Sequence, residues 1–126
     1  MNNNKITITK EYLREHKDEI FVFGDNNLRY GKGGSAKLRD ESNTYGFITK
    51  KKPSYSDDAY YRPDEYKQVF TTELKKLLIE VTKNKDKTYI ISKIGSGLAN
   101  RYRIWEEVIL PNIDILRSFK NVKLLF

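Results

Sequence analysis

The run Ile20-Phe21-Val22-Phe23-Gly24-Asp25-Asn26-Asn27-Leu28-Arg29-Tyr30-Gly31-Lys32-Gly33-Gly34-Ser35-Ala36-Lys37 decides the fold. Its first four residues are continuously apolar, as in a strand buried on both faces, and Gly24 ends that strand. Gly31, Gly33 and Gly34 stand just before Ser35-Ala36-Lys37-Leu38-Arg39, which reads as a helix. A strand that opens through glycine into a helix brings bare backbone N–H groups to one edge of a sheet. Glycine lets a ligand approach that backbone, and a helix N-terminus favours negative charge. The arrangement recurs at Tyr89-Ile90-Ile91-Ser92-Lys93-Ile94-Gly95-Ser96-Gly97-Leu98. Two such loops at the carboxyl ends of strands can hold the two phosphates of a nucleotide.

Working outward, Ile6 and Ile8 alternate with polar neighbours, so residues 5–9 read as a half-buried first strand. Residues 10–17 are charged and helical in propensity. Residues 44–49 and 122–126 read as further strands, and 88–94 as the strand before the second loop. Pro63-Asp64-Glu65 opens the clearest helix, with proline and acidic residues suited to its first turn. Its apolar positions, Tyr66, Val69, Phe70, Leu74, Leu77, Leu78 and Val81, recur at steps of three and four. Residues 102–119 are helical by pattern, with Trp105, Val108, Ile109, Leu116 and Phe119 facing inward and Pro111 as a break. Residues 53–63 form a loop rich in tyrosine, serine and aspartate, long for so small a domain. The alternation predicts one α/β domain over residues 1–126, with a mixed, twisted sheet of about five or six strands flanked by helices. Ligands of such sheets bind at the carboxyl ends of the strands, where both glycine loops fall.

Composition narrows the function. The chain has 126 residues, 38% hydrophobic and 33% charged, with a formal charge of +7. The basic balance suits a phosphorylated or polyanionic partner. Absence of cysteine excludes disulfides, thiolate zinc sites and a cysteine nucleophile, and a single histidine, His16, argues against a histidine metal cluster or a Ser-His-Asp triad. No metal or cofactor is expected. With no long apolar run and a polar start, the expectation is a cytoplasmic protein without a membrane partner.

Neither loop matches a P-loop or a dinucleotide fingerprint. Asp25, Asn26 and Asn27 could hydrogen-bond a ribose or orient a water, or form an Asx-turn or cap. Lys50, Lys51 and Lys52 could neutralise phosphates or be solvated. Tyr55, Tyr60 and Tyr61 could stack on a base or pack the long loop onto the domain.

At these residues the chain resembles the macro domains, ADP-ribose-binding α/β modules. Their Asn-x-x-Leu-x-x-Gly-Gly-Gly-type loop corresponds to Asn26-Asn27-Leu28-Arg29-Tyr30-Gly31-Lys32-Gly33-Gly34, and their Ile-Gly-x-Gly-Leu loop to Ile94-Gly95-Ser96-Gly97-Leu98, followed by a helix bearing Trp105. The chain looks nearest to the terminal ADP-ribose glycohydrolase type and to short phage and bacterial macro-like proteins. The latter are marked by Val22-Phe23-Gly24-Asp25-Asn26, Gly31 to Lys37, and Gly97-Leu98-Ala99-Asn100. The resemblance implies a three-layer domain that binds ADP-ribose or a related pyrophosphate-containing nucleotide, alone or on protein or DNA. It places Gly24, Asn26, Asn27, Gly31, Gly33, Gly34, Ser35 and Lys50, with Gly95, Ser96, Gly97, Leu98 and Asn100, at the ligand. The lysine–aspartate pair of those glycohydrolases is not retained. Ala99 follows Gly-x-Gly-Leu, and Asp40 stands where their reactive lysine falls, with Lys37 three residues earlier. Removal of ADP-ribose by hydrolysis, with Asp25 or Lys37 as catalytic group, stays open beside non-catalytic sequestering of a nucleotide signal. A basic nucleic-acid-binding domain is the third alternative.

Overall fold

The computed structural model describes residues 7–126. A short helix α1 (Lys10–Glu15) is capped by Thr9, whose hydroxyl accepts from the Tyr12 N–H at 3.0 Å. Strands β1 (Glu19–Asn26), β2 (Thr44–Lys50), β3 (Thr88–Ile91) and β4 (Val122–Leu124) form a sheet of order β2-β1-β3-β4. Every neighbouring pair is parallel. Helix α2 (Pro63–Lys83) links β2 to β3.

The expectation of a mixed sheet of about five or six strands is thereby corrected to four parallel strands among the described residues. Each connection crosses over the sheet before the next strand, which leaves all strands pointing one way. The strand expected over 5–9 begins outside the described residues, and Thr7–Thr9 are irregular because Thr9 serves as the cap of α1. The helix expected behind the first glycine loop is a 3-10 turn, Gly34–Leu38. The helix expected over 102–119 is broken into a π-turn, Trp105–Ile109, and two 3-10 turns, Leu110–Asn112 and Asp114–Ser118. Pro111 has no N–H to bond the Glu107 carbonyl as an α-helix requires, and beside it the Asn112 side-chain amide donates to the Val108 carbonyl at 2.7 Å.

Alternation along the strands sorts the core onto two faces. Phe21, Phe23 and Ile90 pack with Leu13, Ala36 and Leu38 under α1 and the 3-10 turn. Val22, Tyr89 and Ile91 face the other way, against Phe70, Leu77 and Val81 of α2 and Trp105, Val108 and Ile109 of the π-turn. The sheet is thus the middle of three layers. No helix among the described residues is long and apolar enough to cross a membrane.

One edge of the sheet is closed by side chains of α2. In a parallel edge strand, alternate residues turn their N–H and C=O away from the neighbouring strand. Buried Glu73 accepts from the Ile48 N–H at 2.8 Å, and the Tyr66 hydroxyl donates to the Ile48 carbonyl at 2.6 Å. Burial, with the Glu73 charge nearby, pushes the Tyr66 phenol far above its ordinary value, so it stays a donor. Tyr66→Phe would leave that carbonyl unpaired. It is expected to lower stability by about 1–2 kcal/mol, read as a lower urea midpoint at unchanged slope.

Candidate functional site

Strands β1 and β3 lie side by side, yet the chain leaves them in opposite directions. After β1 it passes to the 3-10 turn on the α1 face, and after β3 to the π-turn on the α2 face. This is a topological switch point, where a crevice opens beyond the carboxyl ends of the strands. A cavity of about 600 Å³ lies there, bordered by both glycine loops and by the end of β2. It is within the size range of small-molecule sites.

The first loop is locked by an ionic knot. The Asp25 carboxylate is 2% exposed and takes Arg39 Nη2 at 2.6 Å, Arg29 Nη1 at 3.2 Å and the Asn26 N–H at 2.8 Å. Arg39 also donates Nε–H to the Gly31 carbonyl at 2.9 Å, and Arg29 donates to the Gly46 carbonyl at 2.9 Å. The backbone of Arg29 has φ 61°, a left-handed conformation that side chains rarely adopt, and the knot holds it there. The Asp25 carboxylate lies where Gly46 would carry a side chain: a Cβ there would be 2.9 Å from the Asp25 Cγ. Asn26 completes the loop as an Asx-turn, accepting from the Leu28 N–H at 3.0 Å and donating to the Tyr30 carbonyl at 2.7 Å.

The second loop turns on Gly95, with φ +79°, where a Cβ would lie 2.5 Å from Ile109 Cδ1. Gly97 is different. Its φ is not positive, and a Cβ there would meet nothing within 4 Å. Neither backbone conformation nor packing demands glycine at that position. Along the two loops, the N–H groups of Gly31, Gly33, Gly34, Gly95, Gly97 and Leu98 have no acceptor among the described residues. The wall therefore offers unpaired donors from both sides.

Its charge is positive. Lys32, Lys50 and Lys93 border the cavity. Lys32 is paired with Asp40, whereas Lys50 and Lys93 have no carboxylate partner among the described residues. Lys50 Nζ donates to the Ser54 carbonyl at 2.7 Å and lies over the rings of Tyr55 and Tyr60. Burial, and then the nearby Arg101 guanidinium, hold its amine below the ordinary lysine value. Among the described residues Asp25 is the one acidic residue on the wall, and its charge is met by the two guanidinium groups.

Most of the residues expected at a ligand come together here. Gly24, Asn26, Gly31, Gly33, Gly34 and Ser35 border the cavity from the first loop. Lys50 closes it from β2, and Gly95, Ser96, Gly97 and Leu98 from the second loop. Gly24 lies inside β1 rather than at its end, because pairing with β2 continues to Asn26. Asn27 is exposed outside the cavity, its N–H bonded to the Lys50 carbonyl. Asn100 also stands off the wall, where it caps the π-turn by accepting from the Trp105 N–H at 2.9 Å and donating to Glu106 at 3.0 Å. Lys37 is exposed and does not border the cavity. Lys51 and Lys52 are paired with Glu65 and Asp58, and Tyr60 and Tyr61 are buried.

Sequence reasoning missed Lys93, Thr49 and Pro53. The first directly precedes the Ile94-Gly95 turn, so its place in the chain was a usable signal. Thr49 and Pro53 reach the wall only through the pairing of β1 with β2 and the fold of the segment after it.

Fold and site together define a three-layer α/β domain with a double-glycine-loop crevice at the switch point of a parallel sheet. The chain belongs to a family of unknown function, DUF7831, whose pattern matches residues 3–102 and thus spans both loops. No curated protein and no solved structure matches it.

Proposed function

We propose that this protein binds ADP-ribose or a related pyrophosphate-containing nucleotide through a macro-like fold. The observation that carries the reading is the convergence of two loops with unpaired backbone N–H groups on one cavity, with Lys50 and Lys93 beside them. Backbone donors at glycine-rich turns form concave anion sites, and two such turns suit two linked phosphates. The free form of the nucleotide, or the same group carried on protein or DNA, fits this chemistry.

Binding without turnover is the favoured form of the reading. A general base must be free to reach a water. The one carboxylate that the described residues place on the wall, that of Asp25, is engaged by Arg29, Arg39 and a backbone N–H. Calorimetry with ADP-ribose tests the binding. Chromatography of the incubated nucleotide, and of ADP-ribosylated protein and DNA, tests the absence of turnover.

Salt separates this reading from polynucleotide binding. Short-range backbone contacts should let ADP-ribose affinity fall only modestly between low and physiological salt. Affinity for a mixed oligonucleotide, resting on surface lysines and counterion release, should collapse. Salt-resistant oligonucleotide binding with no nucleotide binding would reject the proposal.

A further inference from the structure

Large apolar side chains left in water gather at the mouth of the cavity. Tyr30, Tyr55 and Leu98 all border it, and they are 59%, 69% and 51% exposed. Exposed apolar surface grouped beside a polar pocket marks a place that something covers.

Tyr55 has the most definite setting of the three. It stands in the segment that leaves β2, which turns back on itself where Lys50 Nζ reaches the Ser54 carbonyl at 2.7 Å. The same ammonium lies 5.1 Å from the centre of the Tyr55 ring and braces it. Pro53 fastens the segment to the first glycine loop, packed so closely that a Cβ on Gly31 would lie 2.9 Å from it. Among the described residues the Tyr55 hydroxyl makes no hydrogen bond, and its ring stacks on no other aromatic. Tyr60 and Tyr61, from the same segment, are 5% and 8% exposed and belong to the core. A flat, mostly free π surface thus stands beside a wall of anion donors. Its complement is a flat aromatic group joined to a phosphate.

Resting on the nucleotide reading above, we infer that Tyr55 is the stacking surface for the ligand's nucleobase. The ligand class is then nucleoside diphosphates and their conjugates, with phosphates on the glycine loops and base on Tyr55. Diphosphates without a base lack the stacking contact.

Calorimetric titration of ADP and of inorganic pyrophosphate into the parent chain, Tyr55→Ala and Tyr55→Phe tests this, with thermal melts to follow folding. The parent should bind ADP more tightly than pyrophosphate. Tyr55→Ala should weaken ADP roughly 10-fold or more, leave pyrophosphate unchanged and keep the melting temperature, while Tyr55→Phe keeps ADP within about twofold. Unchanged ADP affinity in Tyr55→Ala would overturn the inference. Equal loss of both probes would overturn it too, since the side chain would then only be shaping the loop. If the parent binds the two probes equally, the cavity is an anion site and base stacking is rejected. If the parent binds neither, the nucleotide reading itself fails and the inference falls with it.

Discussion

Gly97→Val is expected to abolish nucleotide binding while the protein unfolds at the same temperature as the parent. The position carries no positive φ, and a Cβ there meets nothing within 4 Å, so the folded chain has room to start a side chain at this position. What valine changes is the cavity wall. Its methyl groups would stand beside unpaired N–H groups that a phosphate must approach closely. A loss of at least roughly 100-fold in affinity, about 2.7 kcal/mol, is expected by calorimetry with ADP-ribose. Gly95→Ala is the contrasting control. Its left-handed backbone and the nearby Ile109 side chain make glycine a folding requirement there, so the melting temperature should drop. Parent-like affinity in Gly97→Val would remove the second loop from the pocket.

Asp25→Ala is expected to cost about 3 kcal/mol or more of stability, a large share of the total for a small domain. The substitution leaves Arg39, largely buried, without its closest anion and frees the Asn26 N–H. Arg39 also holds the Gly31 carbonyl, so the first loop should loosen and affinity should fall with stability. Urea unfolding measures the loss. A catalytic base would behave otherwise, losing turnover while the chain stayed stable and the ligand stayed bound. The crowded partner Gly46 gives a second reading of the same contact. Gly46→Ala should destabilise the parent because a Cβ there collides with the Asp25 side chain. In an Asp25→Gly background, which also removes the Asp25 Cβ that a Gly46 side chain would meet at 2.9 Å, the same change should cost much less, a coupling that a double-mutant cycle measures. Additive losses would mean that Asp25 and Gly46 do not share that space.

The parts of the fold that the sequence disclosed are those set by periodicity over short distances. The run from Ile20 to Phe23 and the repeat from Tyr66 to Val81 each needed only local spacing to show a strand and a helix. The glycines at 31, 33 and 34, with Gly24, were legible for a similar reason, since they exceed the needs of one turn, whereas Gly95 and Gly97 alone read equally well as a plain turn. What escaped were properties that depend on partners far away in the chain. Nothing near Glu73 in the chain says that it serves a strand edge at Ile48. Asp25 followed a buried strand, as a site carboxylate would, but its arginines are four and fourteen residues on. For Asn26 the turn was one of the two alternatives that local sequence offered, and it is the one the chain adopts, while Asn100 caps the π-turn. Among Tyr55, Tyr60 and Tyr61 only the path of the chain decides which one faces water. Among the described residues the strands number four, and of the stretch expected as a first strand Thr9 belongs to a helix cap.

The adjacency of β1 and β3 also sets when the protein can begin to work. The two halves of the crevice are held together by contacts such as Ser92 to the Val22 carbonyl, across a sequence separation of 70 residues. Between them the chain must lay down β2 and the 21 residues of α2. Closing so long a loop is entropically costly, and parallel pairing of distant strands is a slow kind of folding event. A nascent chain that has emerged only through Lys83 carries the residues of the first glycine loop and of its ionic knot, yet lacks those of the loop opposite. If the proposed nucleotide binding holds, ligand capture reports on the β1–β3 pairing: in a refolding experiment it should appear after helix signals have already settled.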